Sequence, residues 1–384
     1  MLEHLTAATA ELDPPLAALD VRALFANAAD LVRRAGGKPI RVAAKSVRCR
    51  WVLENVLARQ GFSGIMGYAL PEAIWLVRGG LKDVLIGYPT VHRAALRELA
   101  ADPELLGQIT LMVDDVAQLE FIRSVVGEPV APIRICLDVD ASLRIGPAHL
   151  GVRRSPLRAG SDAVSVAQYA SKIGGFSIVG VMFYEAQVAG LPDTSPAVTL
   201  VKRRSVAELA ERRTAVVQAL QSVVGPLEFV NSGGTGSLEI SSADPSVTEV
   251  TAGSGLYSPT LFDGYKQFQG DPALFFALPV VRRPAPDIAT AFGGGYIASG
   301  PAAKSRLPKP VDSELSLLGT EGAGEVQTPV RGKPASAMGI GDRVWFRHAK
   351  AGEMLERFDV LNLIEGTELI DSVPSYRGEG LNFG

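Results

Sequence analysis

Arg41-Val42-Ala43-Ala44-Lys45-Ser46 is a short apolar run that ends on a cation, and a segment of helical period follows it from about Arg50 to Gln60. The same unit recurs down the chain. Gly64 to Tyr68 is followed by a helix that begins at Pro71, a residue suited to a first helical position. Asp83 to Tyr88 precedes a helix that includes Arg93 to Ala100, and Ile109 to Asp114 precedes one through Leu119 to Val126. Ile133 to Asp140 leads, after a glycine-bearing loop, to a helix over roughly Ala163 to Lys172. Ile178 to Tyr184 precedes a long helix from about Val201 to Val223, and Glu228 to Ser232 and Glu249 to Ala252 supply the last two runs. Eight strand–helix units in about 220 residues match the count and length of a (β/α)8 TIM-type barrel. An open doubly wound sheet is the alternative, but the first strand–helix turn carries no dinucleotide fingerprint, which favours the closed form.

After Asp263-Gly264-Tyr265 the period changes to short strand-type runs broken by Gly and Pro: Ala277 to Arg282, Ile288 to Phe292, Gly324 to Val330, Arg343 to Phe346 and Val360 to Ile364. The expected division is therefore a barrel over residues 18–265 and a C-terminal β-rich domain over 266–384, with residues 1–17 joined to the latter. The stretch from Pro301 to Gly332 has no functional reading.

The chain has 384 residues, 47% of them hydrophobic, and a formal net charge of -3. That balance gives no electrostatic reason to expect nucleic acid. Arg153-Arg154 and Lys202-Arg203-Arg204 read as solvated loop or helix faces. Cys49 and Cys136, the two cysteines, have no metal-type spacing and read as small buried hydrophobes in a reducing compartment. The first residues lack a secretory pattern and no apolar run reaches membrane-span length, so the expectation is a soluble, cytoplasmic protein with no membrane partner.

In a barrel of this kind, functional groups gather at the C-terminal ends of the strands, and phosphate sites frequently form after strands seven and eight. Strand one ends in Lys45, strand five delivers Asp138 and Asp140 with Arg144 beyond, and strand six ends in Tyr184-Glu185. Strand seven runs into Asn231-Ser232-Gly233-Gly234-Thr235-Gly236 and strand eight into Ala252-Gly253-Ser254-Gly255. Two glycine-rich turns at adjacent strand ends can aim backbone N–H groups and hydroxyls at a phosphate. A lysine facing such a site suits carbonyl chemistry, because burial makes its amine nucleophilic. A phosphorylated carbonyl compound held at both ends is either pyridoxal phosphate or a sugar phosphate, and spacing does not choose between them.

At these motifs the chain resembles the fold-type III pyridoxal-phosphate family, in its D-threonine aldolase and D-serine dehydratase branch with an alanine-racemase-like barrel. The resemblance is carried by Leu19-Asp20 with Leu24 and Asn27, Val42 to Ser46, Leu137 to Asp140 with Arg144, Tyr184, Asn231 to Thr235, Thr248-Glu249, Ala252 to Ser254, and His348. It implies that Lys45 carries the cofactor as a Schiff base and acts as an acid/base on one of its faces. It further implies that Ser232, Gly233, Gly234 and Thr235 with Gly253 and Ser254 hold the phosphate, that Arg144 lies near the pyridine nitrogen, and that Tyr184 lies near the ring. The implied activity is a lyase acting on a β-hydroxy-D-amino acid, by retro-aldol cleavage or by dehydration and deamination, in a homodimer.

The chain also departs from that branch, in which a His-x-Cys or His-x-Asp pair supplies a divalent metal. Here the segment is His348-Ala349-Lys350, so the second ligand is replaced by a cation, and Glu353 and Glu356 are the nearby carboxylates. His348 is thus both the candidate metal ligand and the candidate catalytic group for the β-hydroxyl. Gln187 stands where the branch often has histidine. Rival readings are an amino-acid racemase, with Tyr257 or His348 as the second base, a non-catalytic pyridoxal-phosphate carrier, and a sugar-phosphate barrel enzyme.

Overall fold

The computed structural model describes residues 2–190 and 196–384, which fall into two compact units. One contains residues 31–45, 54–253 and 383–384; the other contains 1–30, 46–53 and 254–382.

The first unit is a closed barrel of parallel strands in chain order: Ile40–Ala43, Phe62–Gly67, Val84–Ile86, Ile109–Val113, Ile133–Val139, Phe176–Phe183, Phe229–Ser232 and Glu249–Ala252. The open-sheet alternative is excluded by the two pairings that close the ring. Strand eight lies beside strand one, Thr251 opposite Arg41, and strand six lies beside strand seven, Val181 opposite Val230. Strands buried on both faces read as apolar runs rather than alternating ones, and Ile40–Ala43, Val84–Ile86, Ile109–Val113, Phe229–Ser232 and Glu249–Ala252 are buried throughout. Leu85, Met112, Cys136, Val179, Met182 and Phe229 form one packed cluster of the unit. Cys136 and Cys49 are both buried and form no disulfide, as small hydrophobes would be.

Among the buried polar residues of the barrel strands, Arg41 has the largest side chain. Its guanidinium is 2% exposed and makes paired bonds to Glu249 (Nε to Oε1 2.7 Å, Nη2 to Oε2 2.9 Å) and to Asp83 (Nη1 to Oδ1 and Nη2 to Oδ2, both 3.0 Å). Asn231 donates to the same Glu249 at 2.7 Å and to Thr251 at 2.9 Å. Asn231 and Glu249, which carry part of the family resemblance, are therefore engaged in joining strands one, seven and eight.

The second unit is built on a nine-stranded sheet whose continuous path runs Ser316–Leu317, Gln327–Arg331, Ile288–Phe292, Leu274–Ala285, Leu16–Asp20, Val360–Glu365 and Glu368–Pro374. Arg343–Arg347 branches from Leu274–Ala285 and pairs in turn with Lys309–Pro310. The segment before Asp20 is a central strand of this sheet, antiparallel to Leu274–Ala285 and parallel to Val360–Glu365. Leu5, Leu16, Ala18, Phe275, Ala277, Trp345 and Ile364 form a core cluster there. Among the described residues no helix is long and apolar enough to cross a membrane.

Removing one partner of a buried ion pair costs about 3–5 kcal/mol because the other charge is left uncompensated. Arg41→Met is expected to lower the unfolding free energy by about that much, read by urea unfolding. A loss below about 1 kcal/mol would show that the barrel closes without this pair.

Candidate active site

Lys45 lies in a one-turn helix, Ala44–Ser46, that begins where barrel strand one stops. Its side chain is exposed, and Nζ donates to the hydroxyl of Tyr88 at 2.9 Å, 5.6 Å from the centre of that ring. Arg154 places its guanidinium carbon 5.6 Å from the Tyr88 ring centre and 5.4 Å from that of Tyr184. Both distances are within cation–π range. Burial pushes the Tyr184 phenol above its ordinary value, with Lys45 and Arg154 opposing, so it keeps its proton at neutral pH. Lys45, Tyr88, Arg154 and Tyr184 thus form one cluster at the mouth. Tyr88 and Arg154 were missed as site residues. Tyr88 ends an ordinary strand run, and Arg154 sits in a basic pair that reads as a solvated face. The arginine is exposed, but it is turned onto two tyrosines that only the fold brings together.

Arg144 is placed differently. It lies on a small hairpin, Leu143–Ile145 with Ala148–Leu150, and its guanidinium pairs with Asp140 at 2.7 Å. Asp140 also accepts from Ser142 and Arg158. Burial pushes its carboxyl up, but the bonds from Ser142 and Arg144 outweigh that and hold it below its usual range. Asp138 has no such support. Burial first, then the carboxylates Asp114 and Asp140, push it up to about 7, with Arg154 opposing.

The turn after strand seven is half committed to its own unit. Ser232 is buried, and its hydroxyl contacts the carbonyl of Phe183 and the carboxylate of Glu185, each at 2.9 Å. Gly233 has a φ of +88°, a conformation that favours glycine. A Cβ on Gly233 would meet Ser241 Oγ at 3.1 Å, and one on Gly234 would meet Ala189 Cβ at 3.2 Å. The close approach is thus to protein on one side. Thr235 follows in a short helical turn, Thr235–Ser237, and Gly253 follows strand eight. Ser254 and His348 belong to the second unit.

Residues 19–260 match the family model described as alanine racemase, N-terminal domain. The chain belongs to that family. Alanine racemase N-terminal domains are fold-type III pyridoxal-phosphate barrels, and the closed eight-stranded barrel has that architecture. Among similar proteins, 3-hydroxy-D-aspartate aldolase of Paracoccus denitrificans (strain Pd 1222) is 25% identical over 301 residues, covering 74% of this chain and 72% of the aldolase. The fold is similar to D-threonine aldolase from Filomicrobium marinum, with a TM-score of 0.81, 20% identity and 96% of each chain covered. It is also similar to D-threo-3-hydroxyaspartate dehydratase from Delftia sp. HT23, with a TM-score of 0.71, 19% identity, and 95% and 97% of the two chains covered. A cysteine variant of D-threo-3-hydroxyaspartate dehydratase has been solved in a metal-free form.

The donors of the racemase-family barrel fit pyridoxal phosphate: a lysine at the mouth, a protonated phenol beside it, and a glycine turn with the required backbone conformation. A divalent metal is a different matter. His348 is fully buried, edge-on to Tyr257 with ring centres 6.4 Å apart, and neither ring nitrogen has a hydrogen-bond partner of ordinary geometry. Burial and Arg347 push it down to about 3, against a weak contribution from the Leu274 backbone, so the ring is neutral at physiological pH. Lys350 donates to the Ser299 hydroxyl at 2.8 Å, Glu353 accepts from the Ser299 N–H at 2.8 Å, and Glu356 is paired with Arg48. Among the described residues no three His, Cys, Asp or Glu side chains converge on a metal position. The residues present do not fit a metal.

Two outcomes are expected. Elemental analysis of the purified protein should find no stoichiometric divalent metal, and dialysis against chelator should leave its melting temperature unchanged. The second concerns Asp138, which titrates near 4 when unfolded and at about 7 when folded. Between those values the folded chain keeps a proton that the unfolded chain has lost. Stability therefore falls as pH rises through that window and levels off above it. Asp138→Asn should gain about 2 kcal/mol more over the wild type at pH 8 than at pH 5, measured by urea unfolding. An equal effect at both values would place the folded-state titration of Asp138 outside this window.

Proposed function

We propose that this chain is a pyridoxal-phosphate lyase acting on β-hydroxy-D-amino acids, by retro-aldol cleavage or by dehydration. The observation that carries the reading is Lys45 at the mouth of a racemase-family barrel, its amine held on the hydroxyl of Tyr88. The relatives supporting the substrate class are a 3-hydroxy-D-aspartate aldolase, a D-threonine aldolase and a D-threo-3-hydroxyaspartate dehydratase.

When bound, the cofactor supplies an aldehyde for the amine and a conjugated ring that takes up negative charge as a bond at the amino-acid carbon breaks. The chain's part is to offer and orient. Lys45 supplies the amine, and Tyr88 fixes its direction. Tyr184, whose phenol keeps its proton at neutral pH, is available to donate a hydrogen bond. Arg154 presents an exposed guanidinium suited to the carboxylate of an amino-acid substrate. The turn Gly233-Gly234-Thr235 and Gly253 offer N–H and hydroxyl groups to the phosphate, with Ser232 holding the base of the turn. Arg144, anchored on Asp140 through Nη2, is the candidate for the pyridine nitrogen, and Ser254 and His348 stand as further candidates. We further propose a cytoplasmic protein, on the strength of two cysteines that form no disulfide, and a homodimer, on the strength of the family, the latter to be tested by light scattering.

The protein loaded with pyridoxal phosphate should absorb in the visible, and borohydride should label Lys45. Lys45→Ala should lose that absorbance and at least about a thousandfold in turnover. Incubation with D-threonine, D-serine and D-threo-3-hydroxyaspartate should release an aldehyde with glycine, or ammonia with an oxo acid. Arg154→Gln should raise KM in the same assay while keeping the absorbance. A colourless protein, or enantiomer exchange alone, would replace this reading with a non-cofactor barrel or a racemase.

A further inference from the structure

Glu185 follows Tyr184 at the end of barrel strand six and is 2% exposed. Its carboxylate collects hydrogen bonds from the whole span of the glycine turn. Oε2 accepts from the Ser232 hydroxyl at 2.9 Å and from the Gly233 N–H at 3.3 Å. Oε1 accepts from the Ser237 hydroxyl at 3.0 Å and from that of Ser241 on the following helix, Leu238–Ala243. Ser232 and Ser237 bracket Gly233-Gly234-Thr235-Gly236, so both ends of the turn are fastened to one side chain. Arg213 donates to Ser232 at 2.9 Å and pairs with Asp244, which brings a buried positive charge to the same network.

A turn holding two adjacent glycines has more backbone freedom than any other, and freedom is what a phosphate cradle has to lose before its N–H groups point one way. A buried carboxylate has the opposite need. It must be surrounded by donors or its burial costs several kcal/mol. Glu185 and the turn satisfy one another: Ser232, Gly233 and Ser237 with Ser241 of the following helix surround the carboxylate, and the carboxylate fixes the turn.

Resting on the cofactor reading above, we propose that Glu185 is a positioning residue for the phosphate half of the site, acting from behind the turn without touching the cofactor. The brace orders the phosphate cradle alone. Lys45, at the other end of the site, is held on the hydroxyl of Tyr88 at 2.9 Å.

That separation sets the test, which compares two aldehydes on the apoprotein by absorbance titration: pyridoxal phosphate, and pyridoxal, which has no phosphate. Both react with Lys45. Glu185→Ala should weaken pyridoxal phosphate by about tenfold or more, since it leaves charge-assisted donors unpaired. Pyridoxal should change less than about twofold. Glu185→Gln, which keeps one acceptor oxygen, should recover part of the loss. Should Glu185→Ala fail to fold, Ser241→Ala carries the same comparison. Equal weakening of both aldehydes, or unchanged affinity for pyridoxal phosphate, overturns the brace. A wild-type protein that reacts with neither aldehyde overturns the cofactor reading itself, and with it the role of Glu185.

Discussion

A barrel of parallel strands has to close, and in this chain the closure passes through one buried cation. Arg41 on strand one reaches Glu249 at the start of strand eight, 208 residues away, and Asp83 before strand three. A guanidinium is the group suited to this place, because its planar fork meets two carboxylates side by side and stays charged when buried. Glu249 and Asp83 raise its pKa well above the ordinary value, against the opposing effect of burial. Asn231 and Thr251 take up further polar capacity of the same network, so strands one, seven and eight are tied together within the barrel. The residues that follow these strands are thereby fixed in direction: Lys45 after strand one, the glycine turn after strand seven, Gly253 after strand eight.

Beyond the strand ends the balance reverses. Asp140 is supported by Ser142, Arg144 and Arg158, whereas Asp138 faces Asp114 with only Arg154 opposing and holds its proton up to about 7. Tyr184 likewise keeps its proton. The mouth therefore presents a lysine, a guanidinium, a phenol and a near-neutral acid within one unit. Carboxyl groups shifted up by burial, as Asp138 is, are found where chemistry is done as well as in structural networks.

Much of this was legible in the sequence. Most of the eight strands stand out as short β-type runs because burial on both faces removes polar alternation, and Lys45 stands out as a cation at the end of one. Asn231 and Glu249 were legible only as motif; their engagement with Arg41 needed the ring to be closed. The strand Leu16–Asp20 was not legible as part of a sheet, because its partners lie at Leu274–Ala285 and Val360–Glu365 and local pattern says nothing of pairing at that distance. Arg154 reads as solvated in the sequence and is exposed in the structure, and only the fold shows that its guanidinium lies near the rings of Tyr88 and Tyr184. The resemblance implies a phosphate role for Ser232; that its hydroxyl lies 2.9 Å from the Glu185 carboxylate is visible only in the fold.

By itself the sequence determined the barrel, the lysine at its mouth, the glycine turns and the replacement of a metal ligand by Lys350. Each is a local matter of period, chain position or residue type. Tertiary structure alone decided which charges meet. Arg41 closes the barrel, Arg144 is taken by Asp140, Arg154 covers Tyr88 and Tyr184, and Glu185 braces the turn. Hydrogen bonds and ion pairs act over a few ångströms of space, and the chain brings those partners together only by folding.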